Sequence, residues 1–269
     1  MKWILMSAGW MLACILAAVL LVSVICRKRD RKRKWSQVLW TVLAAVLLMA
    51  ATGAVYLSMY SHHDESAEPF LISSETVTVT PASNVLMFDG PSDSRAVIFY
   101  PGAKVEAEAY APLMYQIAEE WGDCFLVEMP FHMAMLDADA AKDIQQEYHY
   151  DQWYMAGHSL GGVTAATYLQ EHSDEFRGLI LLAAYSTDPL PEELQVVSLY
   201  GDQDEVLNME EYEKNRENLP EKAEEVIISG GNHAQFGNYG IQKGDGTAVI
   251  SRENQQRQVV EALKSLTNE

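Results

Sequence analysis

The chain has 269 residues, of which 49% are hydrophobic and 21% are charged. This composition is typical of a globular protein and excludes a disordered or fibrous chain. The formal net charge of −19 is unevenly distributed: residues 1–60 carry eight Lys or Arg and one acid, whereas residues 61–269 carry 11 Lys or Arg and 37 Asp or Glu, a net charge of −26. A domain this acidic would repel a phosphate backbone, which excludes nucleic-acid binding.

Two long uncharged runs begin the chain. Residues 3–26 and residues 35–60 contain no charged side chain, and each run exceeds the roughly 20 residues that a helix needs to cross about 30 Å of hydrocarbon. The loop between them, residues 27–34, holds seven bases and one acid, which favours the cytoplasmic side. We therefore expect residues 1–60 to form a transmembrane helical hairpin in the lipid bilayer, with the rest of the chain extracytoplasmic. A cleaved signal peptide is the alternative for the first run, although its apolar core would be shorter.

The remaining residues divide into a short segment and one domain. Residues 61–74 are polar, so we expect them to form a linker. In residues 75–269, apolar or β-branched runs alternate with helical patterns, which predicts an α/β domain with a mostly parallel sheet of eight strands and helices on both faces. The predicted strands are 75–80, 84–88, 96–100, 124–129, 153–157, 178–184, 196–200 and 225–229. The predicted helices are 106–121, 137–147, 160–172, 208–217 and 252–266. The turn Pro81-Ala82-Ser83 predicts an antiparallel hairpin for the first two strands.

One serine lies in a tight turn between a predicted strand and a predicted helix. The strand at 153–157 runs into the sequence Gly157-His158-Ser159-Leu160-Gly161-Gly162. This is a G-x-S-x-G pattern, in which small residues on both sides let the strand and the helix approach and the turn exposes the serine hydroxyl at the carboxyl edge of the sheet. Ser159 is therefore the predicted nucleophile.

A serine hydroxyl needs a base to take its proton and an acid to orient that base. In this kind of sheet the chain order is serine, acid, histidine. Among seven histidines, only His233 follows both Ser159 and the later strands, and it lies in a glycine-rich loop. The Gly-x-x-Asp spacing after the strand at 196–200 favours Asp204 as the acid. The alternatives are Asp202, Glu205 and Asp188.

Acyl transfer also needs two backbone N–H donors for the oxyanion. Leu160, the residue after the serine, would supply the first. Gly102, in the loop after the strand at 96–100, would let the N–H of Ala103 face the same point. Next to it, Lys104 is expected either to be a solvated loop charge or to attract anionic substrates.

Two residues follow the strand at 124–129 and end at the same edge of the sheet. Phe131 and His132 could line an acyl pocket there, or they could belong to a loop that packs beneath the site. The sequence leaves both interpretations open.

These segments resemble the α/β-hydrolase superfamily, in particular its small dienelactone-hydrolase-like serine hydrolases, the α/β-hydrolase fold-5 group. The matching segments lie at 100–105, 110–113, 128–132, 157–162, 181–185, 200–204 and 231–237. The resemblance covers about residues 95–265 and implies a triad of Ser159, Asp204 and His233. Two positions depart from the pattern. Pro101 stands where many members have His before the oxyanion glycine, and Ser159 stands where dienelactone hydrolases proper use Cys, so dienelactone is not an expected substrate.

The sequence predicts neither a cofactor nor a metal site. The glycine-containing segment 240–246 does not follow a strand and has too few carboxylates for a metal or phosphate loop, so we expect an ordinary turn. Cys14 and Cys26 lie in apolar runs, and Cys124 lies in a predicted strand. No disulfide framework is possible in the domain, and Cys124 is expected to be a core residue.

Together these features predict a membrane-anchored serine hydrolase that cleaves small-molecule carboxylic esters through an acyl-enzyme on Ser159. The alternatives are an acyltransferase or a lipid or thioester hydrolase of the cell envelope, and a non-catalytic binding module on the same fold. Only eleven residues, 185–195, separate the strands at 178–184 and 196–200, which is too few to build a cap over the site. We therefore expect an open site that prefers short, neutral or cationic esters.

Overall fold

A computed structural model describes residues 13–20, 34–92 and 94–267 of the chain. The chain divides into two compact units, Met1–Met59 and Tyr60–Glu269. The boundary falls at the end of the second predicted membrane span.

The first unit contains helix α1, Lys34–Ser58. Its segment Leu39–Tyr56 is, among the described residues, the one helical stretch long and apolar enough to cross a membrane. The second predicted span, 35–60, is thus helical up to Ser58. Of the first predicted span, residues 13–20 are described and are helical. The rest of that span, and all of the basic loop except Lys34, lie outside the described residues.

The second unit is built on one sheet of eight strands, which confirms the predicted fold class. The strands are β1 Thr78–Ala82, β2 Val85–Asp89, β3 Arg95–Tyr100, β4 Asp123–Val127, β5 Gln152–His158, β6 Gly178–Leu182, β7 Gln195–Gly201 and β8 Glu224–Ile228. Their order across the sheet is β1-β2-β4-β3-β5-β6-β7-β8. The pairs β1–β2 and β2–β4 are antiparallel, and all other neighbours are parallel. The carboxyl ends of β3 to β8 therefore meet at one edge.

Helices cover both faces of this sheet. They are α2 Ala111–Glu120, α3 Ala140–Glu147, α4 Leu160–His172, α5 Met209–Lys214 and α6 Arg252–Leu263. Leu113 of α2 and Val259 of α6 belong to the apolar core on one face, whereas Ile144 of α3 and Leu169 of α4 belong to the core on the other. Residues 96–100 of β3 alternate between the two cores, so the strand is apolar after Arg95 because neither of its faces meets water there.

The first hairpin differs from the prediction in its turn. Pro81 and Ala82 are part of β1, and Ala82 pairs with Val85, so the turn is the two residues Ser83 and Asn84, with Ser83 at φ 49°. Because β1 is an edge strand, the missing N–H of proline leaves no sheet hydrogen bond unmade.

Residues 61–74, predicted to be a linker, are instead packed on the domain. Ser61 forms a parallel bridge with Val105. The carboxylate of Asp64 lies 2.9 Å from the guanidinium of Arg252. Besides these polar contacts, which a hydropathy pattern does not reveal, Phe70 of the segment packs against the apolar core of the domain.

Candidate active site

The turn between β5 and α4 is a strained elbow with Ser159 at its apex. Ser159 has φ 52° and ψ −125°, a backbone conformation that a residue with a side chain rarely adopts, and its N–H donates to the carbonyl of Leu182 at 2.9 Å. A Cβ at position 157 would lie 2.5 Å from the backbone N of Gly162, and one at position 161 would lie 2.1 Å from the carbonyl O of Tyr100. The two glycines of G-x-S-x-G are therefore required by close backbone packing.

His233 and Asp204 form a buried pair at the same edge of the sheet. His233 follows β8 and Asp204 follows β7. The His233 Nδ1 and the Asp204 Oδ2 are 2.8 Å apart, and the two side chains are 2% and 0% exposed. The other oxygen of Asp204 accepts hydrogen bonds from the backbone N–H groups of Val206 and Leu207, both at 2.8 Å. These bonds fix the carboxylate, and the carboxylate in turn fixes the imidazole.

The imidazole of His233 lies beside the elbow. Its ring centroid is 4.5 Å from that of His158, the residue directly before Ser159. The three residues that the sequence proposed as a triad thus lie at the carboxyl ends of three parallel strands, β5, β7 and β8.

The three alternative acids are exposed, and two of them have other partners. Asp202 is exposed, and its carboxylate accepts the N–H of Gly230 at 2.7 Å and the hydroxyl of Ser229 at 3.1 Å. Bonds from the Gln203 amide and the Gly230 N–H lower the pKa of Asp202. Asp202 therefore ties β7 to the turn after β8. Glu205 is exposed, and Asp188, also exposed, accepts from the hydroxyl of Thr187.

Asp245 is a positioning residue that the sequence analysis missed. It lies in the segment 240–246, which was expected to be an ordinary turn. Its Oδ2 accepts the N–H of Ala234 at 2.8 Å, and its Oδ1 accepts the N–H groups of Gly246 at 2.9 Å and His233 at 3.3 Å. This carboxylate holds the backbone on which the His233 imidazole is mounted. In the sequence, only its glycines distinguish this segment, and they do not indicate that Asp245 accepts hydrogen bonds from the backbone of His233 and Ala234.

The loop after β3, residues 101–104, is here called the β3 loop, and it contacts the elbow directly. Besides Tyr100, the carbonyl of Pro101 would lie 2.3 Å from a Cβ at position 161. In the described part of the chain, no hydrogen bond takes up the backbone N–H of Ala103 or of Leu160. Neither predicted oxyanion donor is therefore committed to another acceptor among the described residues.

A buried tyrosine connects the β3 loop to the elbow. The Tyr110 hydroxyl accepts the N–H of Gly102 at 3.1 Å and lies within hydrogen-bond distance of the Nδ1 of His158, at 2.7 Å. Burial, and then the nearby His233, lower the pKa of His158 well below its usual value, so its ring is neutral. In the sequence, Tyr110 stands out only as part of a segment that resembles the family, and His158 occupies a variable position of the G-x-S-x-G pattern.

Backbone strain is concentrated at this edge of the sheet. Five residues that are not glycine have positive φ angles there: Lys104 after β3, Phe131 and His132 after β4, Ser159 after β5 and Ala183 after β6. Strain of this kind costs about 1–3 kcal/mol per residue and is characteristic of functional sites.

The three predicted pocket residues lie together beside the β3 loop. The N–H of Lys104 donates to the carbonyl of His132 at 2.7 Å, and the ring of His132 stacks on Tyr60 with centroids 3.9 Å apart. Phe131 is 59% exposed. The loop after β4 therefore flanks the site with one exposed aromatic ring and one that is packed. Cys124 is fully buried in the core, as expected, and burial raises the pKa of its thiol well above its usual value.

The sequence matches the model of the alpha/beta hydrolase family over residues 96–257, more than half of the chain. The chain therefore belongs to the alpha/beta hydrolase family, and the resemblance drawn from its motifs is confirmed. No curated protein matches the sequence.

Solved structures share the fold at low sequence identity. TT1662 from Thermus thermophilus is 13% identical with a TM-score of 0.52, over 72% of this chain and 99% of that chain. Est1E from Butyrivibrio proteoclasticus, with ferulic acid bound, is 14% identical with a TM-score of 0.53, over 74% and 99%. Mouse alpha/beta hydrolase domain-containing protein 10 is 11% identical with a TM-score of 0.53, over 72% and 98%. At these identities the similarity establishes the fold alone.

Proposed function

We propose that this member of the alpha/beta hydrolase family is a serine hydrolase that cleaves carboxylic esters through an acyl-enzyme on Ser159. The observation that carries the proposal is the buried pair of His233 and Asp204, whose imidazole lies beside the elbow that bears Ser159. A strained serine, a base and an oriented acid at the ends of neighbouring strands are what acyl transfer requires.

In this proposal His233 acts as the general base. Because its Nδ1 faces the Asp204 carboxylate, the proton of the neutral ring sits on Nδ1, and Nε2 keeps the free lone pair. Nε2 takes the hydroxyl proton of Ser159 as the oxygen attacks the ester carbonyl, and it then delivers that proton to the departing alcohol. The imidazolium that forms in between is stabilised by Asp204.

The negative charge on the carbonyl oxygen is held by the N–H groups of Ala103 and Leu160. Donors fixed in place before the reaction stabilise this charge without reorganising, and losing one such donor typically costs about 100- to 1,000-fold in kcat. Water, activated by the same His233, then hydrolyses the acyl-enzyme. The hydrogen bond from Gly102 to Tyr110 keeps the β3 loop in the position that this step needs.

The substrate is proposed to be a small ester. The connection between β6 and β7 contains no helix, so it forms no cap over Ser159. Each acyl CH₂ that stays in water forgoes about 0.8 kcal/mol of binding, so long acyl chains gain little at an open site. The net charge of −26 in residues 61–269 disfavours anionic substrates.

We further propose that the hydrolase domain is anchored in a membrane on its extracytoplasmic side. Helix α1 supports an anchor, because its apolar side chains, such as Leu39, Trp40 and Val55, are exposed. The basic loop at 27–34 supports a cytoplasmic location for the start of α1. Protease added to intact cells should then remove the domain. Protection of the domain in intact cells, with digestion after lysis, would refute this topology.

The hydrolase proposal is tested on the full chain in detergent micelles, with p-nitrophenyl acetate and butyrate as substrates. Ser159→Ala and His233→Ala should each lower kcat by at least about 1,000-fold, because the residues act as a unit. His149→Ala, which removes an exposed histidine outside the site, should leave kcat unchanged. Adding a primary alcohol distinguishes hydrolysis from acyl transfer by the ester formed. A folded chain that turns over none of these esters would favour a binding module instead.

A further inference from the structure

A second group of converging side chains lies outside the proposed active site. Ligand atoms of His63, Glu106 and Glu108 all lie within 4.8 Å of one another. The Nδ1 of His63 is 2.7 Å from Oε2 of Glu106, and the Nδ1 of His62 is 3.5 Å from the same oxygen. One imidazole and two carboxylates therefore converge on the surface of the domain, and a second imidazole, that of His62, lies next to Glu106.

The fold holds these side chains in place from both sides. The bridge between Ser61 and Val105 consists of an N–H of Ser61 donating to the carbonyl of Lys104 at 2.7 Å and an N–H of Glu106 donating to the carbonyl of Ser61 at 2.9 Å. The backbone N–H of His63 also donates to Oε2 of Glu106 at 2.8 Å. The carboxylate is thus oriented toward the histidine before any ligand arrives.

A simple histidine–carboxylate hydrogen bond accounts for only part of this arrangement. It explains Glu106, but Glu108 brings a second carboxylate to the same point. In the described part of the chain, no Lys or Arg forms a salt bridge with either glutamate. Two carboxylates held close together favour binding of a cation, and the acidic surroundings add to that preference.

We propose that His63, Glu106 and Glu108 bind one Zn²⁺ ion, with His62 in reach as the fourth ligand. Zn²⁺ takes imidazole nitrogen and carboxylate oxygen at about 2.0–2.2 Å in a tetrahedron, whose ligand atoms are roughly 3.3 Å apart. Ligand atoms within 4.8 Å of one another must approach by at most about 1.5 Å to reach that spacing. The imidazole selects against Mg²⁺ and Ca²⁺, which prefer oxygen ligands alone.

The ion would cross-link the start of the domain to the residues that directly follow the β3 loop. His63 lies on the segment 61–74, and Glu106 is three residues after Ala103, whose N–H is a proposed oxyanion donor. Zn²⁺ would cross-link these two segments and reduce motion of the β3 loop. The sequence predicts no metal site because His63 and Glu106 are 43 residues apart in the chain and the four residues follow no known ligand spacing.

The test is a Zn²⁺ titration of the full chain in detergent micelles, without a polyhistidine tag, in competition with a chromophoric chelator. We expect one Zn²⁺ per chain, and at least about tenfold weaker binding in Glu108→Gln and in His63→Ala, since even loss of an outer-sphere partner costs about 10–100-fold. His149→Ala and Glu147→Gln, which change exposed residues outside the cluster, should bind Zn²⁺ as the wild type does.

Thermal unfolding supplies a second readout. At a Zn²⁺ concentration about 100 times the Kd, the wild-type midpoint should rise by about 5 °C or more, and that of Glu108→Gln should not. The Glu108 side chain makes no hydrogen bond in the described residues, so this variant should unfold at the wild-type temperature when metal is absent. Absence of stoichiometric Zn²⁺ binding to the wild type, or equal affinity in Glu108→Gln and wild type, would overturn the proposal.

Discussion

Replacing Asp204 by Asn separates the role of its charge from the role of its shape. The Oδ2 of Asp204 accepts from His233 Nδ1 at 2.8 Å, while Oδ1 accepts from the N–H groups of Val206 and Leu207. An Asn can keep both backbone bonds with its single oxygen, which leaves its NH₂ group facing Nδ1. The imidazole must then carry its proton on Nε2, the atom that should accept the proton of Ser159.

We expect this wrong tautomer to cost about 1,000- to 10,000-fold in kcat, which is about 4–5.5 kcal/mol of transition-state stabilisation. The fold should lose much less, about 1–2 kcal/mol, because two of the three hydrogen bonds persist. The assay is steady-state hydrolysis of p-nitrophenyl butyrate, with unfolding measured on the same samples.

Asp202→Asn is the matched control, because it makes the same chemical change two residues away on an exposed carboxylate. It should keep kcat within about threefold of wild type, as surface substitutions outside the site do. A kcat for Asp204→Asn within about tenfold of wild type would refute the assignment of the acid. The same conclusion would follow if Asp202→Asn were the more damaging change.

Three further results are expected. Gly161→Ala places a Cβ 2.1 Å from the carbonyl O of Tyr100, so the β3 loop must shift by about 1 Å. We expect kcat/KM to fall by about 100-fold, and unchanged kinetics would contradict the close approach of the two backbones. Burial lowers the pKa of His158, so below pH 6.5 this histidine binds a proton in the unfolded chain but not in the folded chain. The free energy of unfolding therefore falls by up to about 1.4 kcal/mol per pH unit as the pH drops. Denaturant unfolding at pH 7.5 and 5.5 should therefore show a smaller loss of stability in His158→Asn than in wild type, and equal losses would contradict a neutral His158. Along p-nitrophenyl esters from acetate to palmitate, kcat/KM should be highest for short acyl chains, and an optimum at ten carbons or longer would refute the open site.

The fold could be predicted from the sequence because the central strands are short apolar runs bounded by turns. Residues 96–100 of β3 and all of β6 are buried on both faces, so they are apolar without interruption. The edge strands β1 and β8 are more polar. Element ends were less predictable. α2 begins at Ala111, after a separate 3-10 turn at Ala107–Tyr110, where a single helix had been expected from residue 106.

The site was predictable where its chemistry is tied to a local motif. Ser159 lies in a pattern that backbone packing demands, and His233 and Asp204 follow strands that a hydropathy pattern reveals. Tyr110 and Asp245 could not be found in this way, because each acts through hydrogen bonds to residues distant in sequence. The packing of residues 61–74 was likewise not predicted, because Asp64 and its partner Arg252 are 188 residues apart in the chain.

The central claim is that Ser159 is an activated nucleophile, and covalent labelling tests it most directly. The full chain in detergent micelles is treated with a fluorophosphonate, and the adduct is located by intact mass and peptide mass spectrometry. We predict one adduct per chain, on Ser159, lost in Ser159→Ala and slowed by at least about 100-fold in His233→Ala, because the hydroxyl then has no base. An unlabelled wild-type chain, or an adduct on any other residue, would contradict the account.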